Sequence, residues 1–201
     1  MQQNDKDTLP KQKLIDLASD NEMIYESASN WFIKQGPEIT DVLIEGLEND
    51  MLGSICHWRI LLLLRYFAKI ETLPAILKQL RLALQEKNST VLSGAMEALA
   101  VFHSPEAINA LIALLQEPDQ EIIQHAAVLL GQTRESSATE PLIGLLKNDN
   151  LNIRYSAVKG LLLMDTAPIH TALKQHMQSE NDTEIRELFL VKEVKRGRAL
   201  N

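Results

Sequence analysis

Residues 74 to about 166 repeat one pattern of apolar side chains every 31 positions. Pro74 and Pro105 open two successive units, and the apolar residues that follow them superimpose. The equivalent positions are Leu80, Leu111 and Leu142; Ala95, Ala126 and Ala157; and Leu99, Leu130 and Leu161. A period of this length is typical of a helix-turn-helix unit that cannot bury its apolar face alone. We therefore expect consecutive units to stack on one another.

The spacing within each unit is helical. Ile108, Leu111 and Leu115 fall at i, i+3 and i+7, on one face of a first helix, which we call helix A. Pro118 ends this helix because it lacks a backbone donor, and Asp119 can cap the second helix, helix B. Helix B is predicted over about 120–132, with a core stripe of Ile122, Ala126, Leu129 and Leu130.

The same pattern extends less regularly in both directions. Pro37 precedes Pro74 by 37 residues, so the unit that it opens holds an insertion. In the first unit we expect Ile24, Ala28 and Phe32 to occupy the core positions of helix B. The prediction is a single all-α domain, residues 1–201, of six helix pairs. Their approximate bounds are 9–35, 36–72, 73–103, 104–135, 136–166 and 167–197.

Composition argues against several function classes. A net charge of −7 is unfavourable for a surface that neutralises phosphates, so we expect no nucleic-acid partner. The longest apolar run, Ile60 to Leu64, is far shorter than the roughly 20 residues of a membrane span. Cys56 is the single cysteine, and the polar residues 1–7 form no apolar signal core. These features predict a cytoplasmic protein without a membrane segment.

Residues 152–161, with the sequence Asn-Ile-Arg-Tyr-Ser-Ala-Val-Lys-Gly-Leu, resemble the second helix of HEAT repeats. The resemblance is to the short-repeat subgroup first associated with phycobilisome lyases, which favours a turn Asp, Val-Arg, a small pair and Leu-Gly. The resemblance implies a right-handed α-α superhelix, an alpha solenoid of about six stacked HEAT-like pairs. In this subgroup the Arg usually bonds the turn Asp of an adjacent repeat. Arg154 and Arg186 keep the Arg, whereas Leu92 and Ile123 replace it in the middle of the array.

In such stacks the B helices usually line the concave side, so B-helix positions outside the core stripe form the natural ligand surface. We call this set the B-helix face: Trp58, Ser93, Glu97, Gln124, His125, Val128, Tyr155 and Lys159. Its mixture of polar, aromatic and aliphatic groups suits a protein or peptide segment, with Tyr155 as an anchor. The sequence thus predicts a non-catalytic scaffold or adaptor. The alternative interpretation is that these residues are merely solvated.

No catalytic constellation, cofactor site or metal site is expected. Cys56 and His57 could make an activated nucleophile, but adjacent helical residues do not face each other. A carboxylate row lies at helical spacing on one predicted A helix: Glu38, Asp41, Glu45 and Glu48. We interpret this row as a solvated face, with an acidic docking stripe for a basic partner as the alternative.

Two further functions stay open. Kinship to the lyase subgroup allows an enzyme subunit that binds a tetrapyrrole or another planar apolar ligand. The other alternative is a homodimer that hides its groove, in which case the mass in solution would be double the chain mass of 22.6 kDa.

Overall fold

The computed structural model describes the backbone of residues 2–199 and the side chains of residues 8–194. Over this part of the chain twelve α-helices follow one another, and no β-strand is present. They are α1 (Gln2–Leu17), α2 (Glu22–Gln35), α3 (Thr40–Leu47), α4 (Gly53–Phe67), α5 (Leu73–Glu86), α6 (Ser89–Leu99), α7 (Pro105–Ala113), α8 (Gln120–Thr133), α9 (Thr139–Leu145), α10 (Leu151–Met164), α11 (Ala167–His176) and α12 (Thr183–Ala199). The predicted all-α class is confirmed. The polar residues 1–7 lie outside the described side chains.

The chain divides into two compact units, residues 1–102 and residues 103–201. The first unit holds α1 to α6 and the second holds α7 to α12, so each contains three A–B helix pairs. The division lies within one residue of the predicted boundary between the third and fourth pairs. That all six pairs form one domain stays a prediction.

An Asn or Asp side chain marks the start of every described B helix except α4, whose first residue follows Leu52. Asn88, Asp119 and Asn150 are 31 residues apart, and each accepts a hydrogen bond from a backbone N–H in the first turn of α6, α8 and α10. Asn21 and Asp182 do the same for α2 and α12. The amides of Asn88 and Asn150 also donate to the preceding B helix, at Ser54 (2.7 Å) and Gln120. The caps therefore fix both the start of a helix and its lateral register.

The repeat equivalences are confirmed in the core. The three leucines of helix A and the three alanines and three leucines of helix B are at most 4% exposed. Two expectations are wrong. Ile24 is 43% exposed because the first turn of α2 projects into solvent, where its neighbour Met23 is 80% exposed. Ile122 is only half-buried, whereas Ile123, which replaces the family's Arg, is turned inward and 8% exposed.

Two glycines bring α8 and α10 into close contact. A Cβ atom on Gly131 would meet the backbone of Gly160, and a Cβ atom on Gly160 would meet the carbonyl oxygen of Ala127. Neither position can carry a side chain unless the two helices separate. This contact at Gly131 and Gly160, which we call the glycine seam, therefore sets the spacing of α8 and α10.

Candidate binding face

In the first unit, Trp58 and Ser93 lie on the adjacent helices α4 and α6. The Trp58 indole packs where a side chain at position 94 would stand, since its Cδ1 atom lies 2.8 Å from the Cβ position of Gly94. Gly94 is buried, and Trp58 and Ser93 are half-buried. The glycine thus lets the indole lie against α6 beside the predicted face.

Glu97 is already engaged within the chain. Its carboxylate accepts a hydrogen bond from Arg65 Nη1 at 3.2 Å and one from Ser93 Oγ at 3.5 Å. The side chains of Arg65 and Glu97 are 45% and 28% exposed, so solvent screens this pair and a partner's charge can compete for it. Arg65 was not predicted, because pairing across two helices depends on a register that spacing within one helix does not reveal.

In the second unit the predicted residues lie on α8 and α10, the helices joined by the glycine seam. Gln124, His125 and Val128 on α8 are half-buried, as is Tyr155 on α10, and Lys159 on α10 is exposed. Gln124 and Tyr155 occupy equivalent repeat positions on the two helices. Val128 and Lys159 are equivalent in the same way, one helical turn further along. The two helices therefore present an aromatic ring, an amide, an aliphatic group and a cation in equivalent rows.

A polar cleft of about 320 Å³ lies at the turns between A and B helices in the second unit. Its lining is Lys147, Asn148, Asp149, Arg154, His176, Ser179, Glu180 and Asn181. Arg154 donates to both carboxylate oxygens of Glu180, from Nε at 2.9 Å and from Nη2 at 3.1 Å. Its remaining Nη1 donates to the carbonyl oxygens of Asn148 and Asp149, both at 3.1 Å. Four of the five guanidinium N–H groups thus have an acceptor within the protein itself.

The electrostatics of this cleft favour a structural role over a catalytic one for the Arg154–Glu180 pair, which we call the Arg154 brace. Hydrogen bonds from Arg154, opposed in part by burial, lower the pKa of Glu180 to about 2. The backbone N–H of Asp182 donates to the same carboxylate at 2.9 Å. Glu180 is therefore ionised at neutral pH and cannot serve there as a general acid. The family pattern predicts that Arg154 bonds the Asp of the adjacent turn. That residue, Asp182, caps α12 instead, and Arg154 bonds Glu180.

His170 on α11 is enclosed between two carboxylates. Its Nε2 lies 2.6 Å from Asp165 Oδ1, and its Nδ1 lies 2.7 Å from Glu193 Oε1, although the angles at this second contact are not those of a hydrogen bond. Lys174 and Lys192 flank the same carboxylates at 3.4 and 4.0 Å. The imidazole is only 4% exposed, so the cluster joins α10, α11 and α12 and offers little access to a substrate.

Cys56 and His57 point to different surroundings, as expected. Cys56 is fully buried, its Sγ lies 3.5 Å from the carbonyl oxygen of Leu14, and burial raises the pKa of its thiol to about 11. His57 contacts the carbonyl oxygen of Asn49 at 3.1 Å. Their neighbour Arg59 donates to the carbonyl oxygens of Leu17 and Ser19 at 2.6 and 2.8 Å. The contacts of Cys56, His57 and Arg59 are therefore structural contacts within the first unit.

The predicted carboxylate row is exposed along all four of its positions, Glu38, Asp41, Glu45 and Glu48. Lys78 pairs with Glu48 at 2.9 Å. Over the side chains described here, no group of three or more His, Cys, Asp or Glu residues is placed to hold a metal ion. Within the same residues, no helix combines the length and the apolar character needed to cross a bilayer.

Family models match two stretches of the repeat. A model described as HEAT repeats matches residues 108–190, and one described as PBS lyase HEAT-like repeat matches residues 91–117. Residues 91–190 therefore contain HEAT-like repeats. The HEAT assignment covers α8 to α11, where the Asx caps, the glycine seam and the Arg154 brace occur.

A curated relative and two solved structures are also similar to this chain. The chain is 36% identical over 78 residues to the "Uncharacterized phycocyanin operon protein Z" of Pseudanabaena tenuis, a match that spans 39% of each protein. It is similar to a chain in the complex of CpcE and CpcF of phycocyanin lyase from Nostoc, with 23% identity, a TM-score of 0.57, and coverage of 78% of this chain and 98% of the other. A designed armadillo repeat protein in complex with the peptide (KR)4 aligns with a TM-score of 0.53 at 17% identity, covering 92% and 97%. These structures support the HEAT-like helical-repeat fold.

Proposed function

We propose that this chain is a non-catalytic protein-binding module that holds a partner protein or peptide on its B-helix face. The observation that supports the proposal best is the double row on α8 and α10. Gln124, Val128, Tyr155 and Lys159 occupy equivalent positions on neighbouring helices and stay accessible to solvent. Residues of the adjoining core positions are buried, so the rows, and not the core stripe, are accessible to a partner.

The chemistry of the rows suits an extended protein segment. Tyr155 provides flat apolar area at low entropic cost and a hydroxyl, a combination enriched at the centres of interfaces. Lys159 can attract a carboxylate, and Gln124 can both donate to and accept from a peptide backbone. A face of this kind gives specific contacts without a deep pocket.

The strongest chemical groups of the second unit have internal partners, which also favours binding over catalysis. Arg154 and Glu180 pair with each other, and His170 contacts two carboxylates. In the first unit the Cys56 thiol is buried. Each of these groups is thus engaged or enclosed within its own unit.

Affinity capture tests this function. Wild type, a Tyr155→Ala/Lys159→Ala variant, and an Asn109→Ala/Gln116→Ala control are immobilised and exposed to native extract. The control removes two exposed side chains from the A-helix side of the same unit. We expect proteins recovered by wild type and control to fall about tenfold or more with the first variant. Equal recovery by all three would place binding elsewhere.

A lyase-related subunit is the second candidate function. It is favoured by the match to the PBS lyase HEAT-like repeat model and by the relative from a phycocyanin operon. In that case the face would take a bilin, and Tyr155 would stack on the tetrapyrrole. Titration of the purified chain with a bilin should then shift the visible absorption band, and Tyr155→Ala should weaken the shift. Unchanged bilin spectra would rule out this candidate.

A further inference from the structure

The B-helix face of the second unit continues on α12, a helix that the predicted face did not include. The helix α10 contacts both α8 and α12. The caps Asn150 and Asp182 are 32 residues apart, so each position on α10 advances by 32 residues to α12. By this register Ile153 corresponds to Ile185, and both are at most 2% exposed. The inward positions of the two helices therefore match, and their outward positions can be compared.

Glu187 and Val191 on α12 extend the double row of the face. Glu187 corresponds to Tyr155, and Val191 corresponds to Lys159. Both residues of α12 are exposed. Each row thus crosses three neighbouring B helices, with Gln124, Tyr155 and Glu187 in the first row and Val128, Lys159 and Val191 in the second.

Three carboxylates border Tyr155 on the helices at its sides. Glu187 lies at the equivalent position on α12, and Glu121 and Glu184 lie one turn nearer the caps on α8 and α12. All three are exposed, and none forms a salt bridge with another side chain of residues 8–194. We call these three residues the acidic rim.

The helix dipole accounts for only part of the acidic rim. Glu121 and Glu184 lie in the first turns of α8 and α12, where a carboxylate stabilises the helix. Glu187 lies one turn further along α12, where this effect has fallen off. No contact in the described part of the chain explains its carboxylate, which is therefore available to a cation from outside.

The Tyr155 ring is suited to receive that cation. It is half-buried, and among the described side chains no aromatic ring or cation is placed against it. The first unit already contains the contact that Tyr155 lacks, since the Arg59 guanidinium lies 3.9 Å from the centroid of the Tyr25 ring. A guanidinium is attracted by the face of an aromatic ring, and a nearby carboxylate strengthens that attraction.

We propose that the segment held on the B-helix face presents an arginine, whose guanidinium stacks on Tyr155 inside the acidic rim. This inference rests on the function proposed above and names the chemistry of the partner. The axes of packed helices lie about 8–10 Å apart, a gap that the long side chains of Glu187 and an arginine can bridge. The planar guanidinium can lie flat on the ring while its edge donates to the carboxylate.

The second row determines what accompanies the arginine. Val128 is half-buried and Val191 is 55% exposed, so aliphatic neighbours of the arginine can cover both. Lys159 lies between them and repels a further cation. The expected partner is therefore a segment with one arginine flanked by apolar side chains, and not a polybasic tail.

Selection from a random peptide library displayed on phage, with the full chain immobilised, tests the proposal. Wild type should enrich peptides that carry an arginine between apolar residues. Glu184→Lys/Glu187→Lys should lose these peptides and enrich acidic ones. The control Glu106→Lys/Glu140→Lys makes the same change in net charge at exposed positions on the A helices α7 and α9, and it should select the same peptides as wild type.

Fluorescence anisotropy of one selected peptide then separates the contacts. Tyr155→Leu should weaken binding about fivefold or more, whereas Tyr155→Phe, which keeps the ring, should bind within about twofold of wild type. Citrulline in place of the arginine keeps its shape and removes its charge. This exchange should weaken binding to wild type by about tenfold and should cost less with Glu187→Gln, because the two groups are coupled. Circular dichroism establishes that each variant keeps its helices.

The outcomes distinguish this inference from the function on which it rests. Selected peptides that depend on Tyr155 but lack arginine overturn the inference and leave the binding function in place. A selection without any peptide that depends on Tyr155 overturns both. An equal effect of citrulline on wild type and on Glu187→Gln overturns the pairing between the arginine and the acidic rim.

Discussion

Arg154 on α10 donates a hydrogen bond to each carboxylate oxygen of Glu180, a residue in the turn between α11 and α12. The Glu180 side chain is only 2% exposed, so the pair is shielded from solvent far better than the Arg65–Glu97 pair. His176 adds a third side-chain contact to the same carboxylate at 3.0 Å. One helix pair is thus held to the next by a charged brace at the position where the HEAT pattern keeps an Arg.

Replacing Glu180 by Gln should destabilise the fold by about 3 kcal/mol at neutral pH, because Arg154 keeps its charge without a counter-ion. The pKa of Glu180 is lowered from 4.5 in the unfolded chain to about 2 in the folded chain. Its stabilisation is therefore complete above 4.5 and is lost as the pH falls towards 2. Urea unfolding at several pH values measures the difference between wild type and variant, which should shrink over that interval.

The control for this titration is Glu106→Gln, which changes an exposed carboxylate on α7. It should alter the free energy of unfolding by no more than about 0.5 kcal/mol. A wild-type advantage over Glu180→Gln that is equally large at pH 7 and at pH 2 would contradict the assigned role of the carboxylate.

Gly160→Ala should be strongly destabilising because its methyl group would meet the Ala127 carbonyl, which belongs to backbone and cannot rotate away. We expect a loss of about 3 kcal/mol or more. Gly144→Ala is the matched control, since it lies in α9 with nothing near its Cβ position. That change should stabilise the protein by up to about 1 kcal/mol through helix propensity. Thermal unfolding of both variants measures the contrast, and equal effects would refute the close seam.

Cys56 should resist thiol reagents in the folded protein. The side chain is 0% exposed, and its pKa of about 11 leaves little thiolate at pH 8. Labelling with a chromogenic disulfide should therefore be slow in buffer and complete in denaturant, at one thiol per chain. Fast labelling of the native protein would show that α4 opens readily or that this thiol is more reactive than its surroundings imply.

His170→Leu should cost about 2 to 3 kcal/mol, since Asp165 and Glu193 would lose the imidazole that lies between them. Glu193→Gln should be less harmful in the His170→Leu background than in wild type, with a coupling energy of about 1 kcal/mol. A double-mutant cycle in urea provides this number. Glu140→Gln on α9 is exposed and should combine additively with His170→Leu, whereas additivity for Glu193→Gln would argue against the cluster.

The helix pairs could be predicted from the sequence because each residue that recurs with the period has the same structural role in every unit. Leu111 and Ala126 recur because every unit needs the same core contact. A cap like Asp119 recurs because the first backbone N–H groups of a B helix need an acceptor. Predicted and observed bounds of α8 agree, at 120–132 and Gln120–Thr133. Ile24 was placed wrongly because periodicity gives the face of a helix and not whether another element covers it.

The charged contacts were less accessible to sequence reasoning. Arg154 was predicted to bond a turn acid of an adjacent repeat, and the partner is Glu180, two residues before the cap that the pattern suggests. Arg65 and Arg59 find partners 32 to 42 residues away, at distances that no local spacing reports. For the B-helix face, the sequence identified which positions stay accessible, and their use in binding stays a prediction.

Because Asn88, Asp119 and Asn150 are equally spaced, the stretch from one cap to the next could be deleted or duplicated as a whole. If residues 119–149 were excised, Asn150 would follow Pro118 and would begin the next B helix with the same bond to the backbone that Asp119 makes now. Duplicating this stretch would lengthen the array in the same way. Evolution can therefore change the length of such an array by whole repeats while every contact between a cap and its helix is kept.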